Sequence, residues 1–94
     1  MSKRNMRDLF LKNLQLKDEQ GTVRSYDYYI TIDAMDVGHY ACESYGIRIA
    51  EQGGQTAEVH NVTCSISRID ELSEILLRNT VTPVTLQDVI SDWL

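Results

Sequence analysis

The sequence predicts an α+β fold, a four-stranded antiparallel meander followed by two helices packed on one sheet face. Three observations carry this. Residues 22–34 and 40–51 alternate apolar and polar side chains with the two-residue period of a half-buried strand. Turn-forming clusters punctuate the first sixty residues at short intervals. Beyond Ser67 the period changes to that of amphipathic helices, and helices gathered after the strands suggest one sheet with both helices laid on it.

The strands are taken in order. Residues 9–17 read as the first strand because Leu14, Gln15, Leu16 and Lys17 alternate. A helix with Met6, Phe10 and Leu14 on one stripe is the competing reading. Asp18-Glu19-Gln20-Gly21 is the turn that follows, and a four-residue loop sets Leu16 opposite Val23. Residues 22–34 are the strongest strand, with Tyr26, Tyr28, Ile30 and Ile32 on one face and Ser25, Asp27, Tyr29, Thr31 and Asp33 on the other. Asp36-Val37-Gly38-His39 reads as a turn, leaving His39 as a turn residue. Residues 40–51 form the third strand, with Tyr45, Ile47 and Ile49 on its apolar face. A loop over 36–39 sets Ile30 opposite Tyr45 and Tyr28 opposite Ile47, so the apolar faces coincide. Gly53-Gly54 suits a two-residue hairpin turn, and a fourth strand covers 56–63.

The first helix is expected over 68–79, capped by Ser67, with Asp70 and Glu71 in its first turn and Arg78 in its last. Ile69, Leu72, Ile75 and Leu76 form its apolar side. The second is expected over 86–93. Thr85 is placed to cap it, and Leu86, Val89, Ile90, Trp93 and Leu94 form its stripe. Pro83 holds the preceding helix short of it. A helix of this length needs a surface to dock on. The core is therefore expected from Tyr26, Tyr28, Ile30, Ile32, Tyr45, Ile47, Ile49, Leu72, Leu76, Leu86, Val89, Ile90 and Trp93. Trp93→Ala should cost about 3–5 kcal/mol if the ring is fully buried.

With 94 residues, 43% hydrophobic and 24% charged, the chain reads as one domain, 1–94, with residues 1–7 loose. The net charge of −5 argues against non-specific nucleic-acid binding. Its distribution is uneven. Residues 1–24 hold six basic against three acidic side chains, and residues 25–94 hold three against eleven. The basic start reads either as a solvated tail or as an arm for an acidic surface, a second copy included. Leu9-Phe10-Leu11 is too short for a signal-peptide core or a membrane span, so the chain reads as cytoplasmic. Asn61-Val62-Thr63 then has no meaning as a glycosylation site.

Three stretches taken together resemble a known group. They are Tyr45-Gly46-Ile47-Arg48-Ile49, the capped helix after Ser67, and the ending from Val81-Thr82-Pro83 through Leu86-Gln87-Asp88-Val89-Ile90 to Asp92-Trp93-Leu94. They resemble a family of small uncharacterised proteins of low-GC Gram-positive bacteria, whose closing segment reads V-T-P-x-x-L-x-D-V-I-x-D-aromatic-aliphatic. The similarity covers roughly Tyr26 to Leu94, and residues 1–20 match less clearly. The family is a domain of unknown function. The resemblance therefore implies the fold and a bacterial cytoplasm, and it brings no catalytic residues.

The chemistry-bearing residues do not assemble into a motif. His39, Cys42, His60 and Cys64 lack the paired spacings of a zinc site. With Gly53-Gly54 as the whole loop, Cys64 lies opposite Glu43, Cys42 opposite Ser65, and His60 opposite Ile47 at the core margin. A loop one residue longer or shorter sets Cys42 opposite Cys64. Ser44 and Ser65 lack a nucleophile elbow. Asp88 and Asp92 read as a solvated helix face. There is no phosphate-binding glycine loop. No catalytic, cofactor or metal residue is assigned.

The expectation is a non-enzymatic interaction module, a homodimer or a partner of another cytoplasmic protein, using the sheet face with Tyr29, Ala41 and Val59. The alternative is a ligand-binding or catalytic domain with a pocket between sheet and helices, for which His60, Tyr26 and Tyr28 are the polar candidates. A weaker third reading is a nucleic-acid contact through Lys3, Arg4 and Arg7.

Overall fold

The computed structural model describes residues 6–37 and 40–94. In chain order they form β1 (Met6–Lys17), β2 (Val23–Val37), β3 (Tyr40–Glu51), β4 (Thr56–Thr63), α1 (Ile66–Arg78) and α2 (Leu86–Trp93). The four strands make one antiparallel sheet in the order β1-β2-β3-β4. The α+β meander with two closing helices is thus the architecture. Residues 9–17 are strand, not helix. Residues 1–5, with Lys3 and Arg4, lie outside the described residues, as do Gly38 and His39 and the side chain of Ala41.

One hydrophobic cluster joins the two layers. Tyr26, Tyr28, Ile30, Tyr45, Ile47 and Ile49 from the sheet meet Ile69, Leu72 and Leu76 from α1, Val81 from the connection, and Leu86 and Ile90 from α2. Ile32, Val89 and Trp93 are only partly buried at its margin, beside Leu11, Leu14, Leu16 and Val59. Tyr28 is buried, and its hydroxyl donates to the Val81 carbonyl at 2.6 Å. Burial holds that phenol above its ordinary pKa, with Tyr26 adding to the shift.

The register departs from expectation at each hairpin. The first loop is five residues, because Lys17 pairs with Val23 and Leu16 with Arg24. Asp18 holds it, its Oδ1 accepting the N–H groups of Gln20 and Thr22 at 2.9 Å each, while Gly21 takes a φ of 81°. The hydrogen bond from Thr22 leads the causes that lower the Asp18 pKa. The second hairpin pairs Ile30 with Ile47 and Tyr28 with Ile49. β2 runs through Asp36 to Val37, which is paired with Tyr40, so a turn over 36–39 is corrected. The error is two residues, and a shift of two leaves every side chain on its face.

The third hairpin differs by one, with the opposite consequence. Glu51 N–H bonds the Gln55 carbonyl and Gly54 N–H bonds Glu51, so the loop has Gln52 as well as the two glycines. Gln52 N–H also reaches back to the Ser25 carbonyl at 2.9 Å. Val59, not His60, therefore lies opposite Ile47. His60 moves to the face away from the helices.

The helix ends also shift. Ser65, not Ser67, caps α1, accepting the Arg68 N–H at 3.3 Å. The helix starts two residues early, which puts Asp70 and Glu71 beyond its first turn. At its exit Thr80 N–H bonds Leu77 and Val81 N–H bonds Leu76, a Schellman closure with Thr80 at φ 47°. A β-branched residue pays strain there, and the burial of Val81 with its bond from Tyr28 offsets it. Thr85 is the first residue of α2's cap, yet its hydroxyl bonds the Thr82 carbonyl rather than the helix. Asp88 alone supplies the negative charge in that first turn.

Candidate functional site

Strand alternation aims Asp27, Tyr29, Thr31 and Asp33 away from the helices. The observed register then decides their company. Arg48 and Phe10 lie opposite Tyr29 on either side, Gly46 opposite Thr31, Ser44 opposite Asp33, and Glu58 opposite Arg48. Phe10 arrives on this face through a bulge. The β1–β2 pairing skips Leu11, and the extra residue reverses the parity of β1 beyond it. Leu11, Leu14 and Leu16 stay against the core, while Phe10 turns over.

The result is an aromatic and ionic cluster across all four strands. Phe10 meets Tyr29 edge to face, with ring centroids 5.5 Å apart. The Arg48 guanidinium lies over the Tyr29 ring at 4.3 Å. Arg48 is held by Asp8 at 2.6 Å and more loosely by Glu58 at 3.8 Å. Glu58 also meets His60 Nε2 at 2.7 Å, and His60 Nδ1 lies 3.3 Å from Asp33. Asp33 is 3% exposed and Thr31 1% exposed although no helix covers them. Thr31 sits in the space left by Gly46, beneath the Val59–His60 backbone. Thr31 Oγ1 and Asp33 Oδ1 are buried with no hydrogen-bond partner among the described residues.

The hydrogen bond with Glu58 raises the His60 pKa above its ordinary value of 6.5, helped by the Asp33 charge and opposed by burial. A histidine raised in the folded state stabilises fully below its unfolded pKa. That contribution disappears as pH climbs through the folded value. Wild type should therefore lose stability between mildly acid and mildly alkaline buffer more steeply than His60→Gln. Urea midpoints of both proteins at each pH measure the difference. Parallel curves would show that the imidazolium is not held by these carboxylates.

The residues singled out in the sequence scatter. Tyr29 is half-buried at the centre of the cluster. Arg7 pairs with Glu43 at 2.7 Å in an exposed bridge. Val59 packs toward the helices rather than on the uncovered face. Ser65 caps α1 and Ser44 is buried. Asp88 and Asp92 are exposed on α2. Cys42 and Cys64 are free, and among the described residues no three His, Cys, Asp or Glu side chains gather as metal ligands. His60 lies on the far side of the sheet from the helices, and Tyr26 and Tyr28 are packed into the core. An open groove of about 660 Å³ lies beside the start of α1, lined by Cys42, Tyr45, Cys64, Ser65 and Asp70 among others. Its walls come from the start of β3 on one side and the first residues of α1 on the other.

Phe10 and Arg48 escaped the sequence reading. The expected register set Gly46 opposite Tyr29, and the two-residue correction replaces it with Arg48. The expected first loop, with Leu16 opposite Val23, already sets Phe10 opposite Tyr29; the observed loop is one residue longer, and the bulge at Leu11 restores that pairing.

Among the described residues no helix is long and apolar enough to cross a membrane. The Family of unknown function (DUF6514) matches residues 7–94, so the chain belongs to that family. The match takes in β1, beyond the stretch from Tyr26 on which the sequence resemblance rests. No curated protein and no solved structure matches the chain.

Proposed function

Proceeding from membership of a family without an assigned function, we propose that this protein is a small non-enzymatic interaction module. It self-associates through the sheet face its helices leave uncovered. The Phe10–Tyr29–Arg48 cluster carries the reading. Phe10 is 54% exposed, an apolar ring held out from a rigid strand. Aromatic and arginine side chains are the types enriched at the centres of interfaces. Here the edge-to-face contact and the Asp8 bridge already order them, which lowers the entropy lost on association.

The surround carries both signs, Asp8, Asp27 and Glu58 against Arg48 and His60, as a self-complementary patch needs. The outer edge of β1 is the less suitable route. Its bulge and the exposed Lys12 and Lys17 are devices that discourage edge pairing. The reading includes a cytoplasmic setting, in keeping with a chain whose two cysteines make no disulfide framework for its core.

Light scattering across a concentration series tests this. The wild type should run as a dimer. Phe10→Ser should weaken the dimer at least about tenfold, the effect of losing one hot-spot side chain, while the circular dichroism stays unchanged. A wild type that remains monomeric at high concentration overturns self-association.

A further inference from the structure

We propose that Cys42 and Cys64 form a reversible intrachain disulfide on meeting a low-molecular-weight disulfide, stapling the start of β3 to the β4–α1 junction. The argument begins with the ladder. β3 pairs Ile49 with Ala57 and Ile47 with Val59, and regular continuation of that register sets Cys42 directly opposite Cys64. The ladder is interrupted instead. Gly46 alone faces His60, Asn61 and Val62, and Thr63 resumes opposite Tyr45. Cys64 follows Thr63 just past the ladder; carried on by one residue, that pairing would set it level with Ser44, one diagonal step from Cys42, and both cysteines border the same groove.

Diagonal neighbours have Cα atoms about 7–8 Å apart. A disulfide needs about 4.4–6.8 Å, so the shortfall is small. Two features allow it to be closed. Cys64 lies beyond the last paired residue of β4, outside the strand. Asn61, in the interruption, holds a left-handed φ of 58°, which marks where β4 leaves regular pairing and where its end can shift. Both thiols line the groove beside α1, with Cys64 exposed and Cys42 half-buried.

The chemistry balances as two exchanges. The exposed Cys64 thiolate attacks one sulfur of the small disulfide, forming a mixed disulfide and releasing one small thiolate. The Cys42 thiolate then attacks Cys64 Sγ and releases the second. The protein loses two electrons and two protons, and the small disulfide becomes two thiols.

The test treats full-length protein with oxidised glutathione, blocks remaining thiols with N-ethylmaleimide in acid, and then digests it with trypsin at mildly alkaline pH without reductant. Cleavage at Arg24, Arg48 and Arg68 puts the cysteines on separate peptides, 25–48 and 49–68. The expected product is a chain lighter by two hydrogens and not cross-linked to a second chain, whose two peptides stay linked until dithiothreitol is added. Cys42→Ser and Cys64→Ser should each instead accumulate a glutathione adduct on the remaining thiol. Wild type that carries glutathione on both cysteines, stays unmodified, or links only between chains overturns the proposal.

Discussion

Gly46→Ala should destabilise the protein by about 3 kcal/mol, the upper part of the range for forcing a methyl group into a packed site. A Cβ at Gly46 would overlap the Val59 carbonyl oxygen and lie 2.8 Å from His60 Cα and 2.6 Å from Thr31 Oγ1. Two of these are backbone atoms, which cannot rotate aside. The third belongs to a side chain that is itself buried. The backbone angle at Gly46 is one alanine can adopt, so the cost is space alone. Urea unfolding of the two proteins measures it. The variant should also lose the pH dependence assigned to His60, since β4 must lift away from Asp33 to admit the methyl group. A cost below about 1 kcal/mol, within the spread of ordinary substitutions, would mean that β4 does not cross Gly46 this closely. The glycine of the Tyr45-Gly46-Ile47 stretch thus has a physical reason. Only a residue without a side chain lets the interrupted part of β4 pass over β3.

That crossing also shows why part of the molecule was legible in the sequence and part was not. The order of elements follows from periods, and those are plain in Tyr26-Asp27-Tyr28-Tyr29-Ile30-Thr31-Ile32 and in the stripe from Leu86 to Trp93. The uncovered face depends on loop lengths and bulges, which shift by single residues. The misjudged turn after β2 did little harm because its error was even. Gly53-Gly54 looks complete as a two-residue turn, yet the Gln52 N–H finds a better partner in Ser25, and the odd shift exchanges His60 with Val59. Parity acts twice in β1: the five-residue loop turns Leu14 and Leu16 to the core face, and the bulge at Leu11 keeps Phe10 opposite Tyr29. Ser65 and Ser67 are equivalent as caps in the sequence. The end of β4 at Thr63, whose Oγ1 accepts the Ser65 N–H at 3.1 Å, decides for Ser65. The core needs only the right face of each strand. The site needs the right residue opposite Tyr29.

Leu86→Ala should cost about 2–5 kcal/mol, a large share of the roughly 5–15 kcal/mol that a domain of this kind holds in total. Leu86 opens α2 and is 0% exposed, packed with Ile90 into the cluster shared by sheet and α1. An eight-residue helix has too few internal hydrogen bonds to survive without its docking face, so truncating the first anchor loosens the whole segment. The sequence placed that weight on Trp93, and the structure moves it. Trp93 is only partly buried, near the end of α2, and one face of its ring meets the Arg68 guanidinium at 4.5 Å. A contact of that kind at an exposed site contributes about 0.5–1 kcal/mol, and partial burial adds a comparable amount. Trp93→Ala should therefore cost about 1–2 kcal/mol, less than half of what full burial implies. Urea denaturation followed by circular dichroism compares the two variants without relying on tryptophan fluorescence. If Trp93→Ala proves the more damaging, α2 is rolled on the sheet so that its far end, not Leu86, anchors it. With the order as stated, the tryptophan works with Arg68 as a clasp between the two helices, and the buried leucine and isoleucine hold the lid to the sheet.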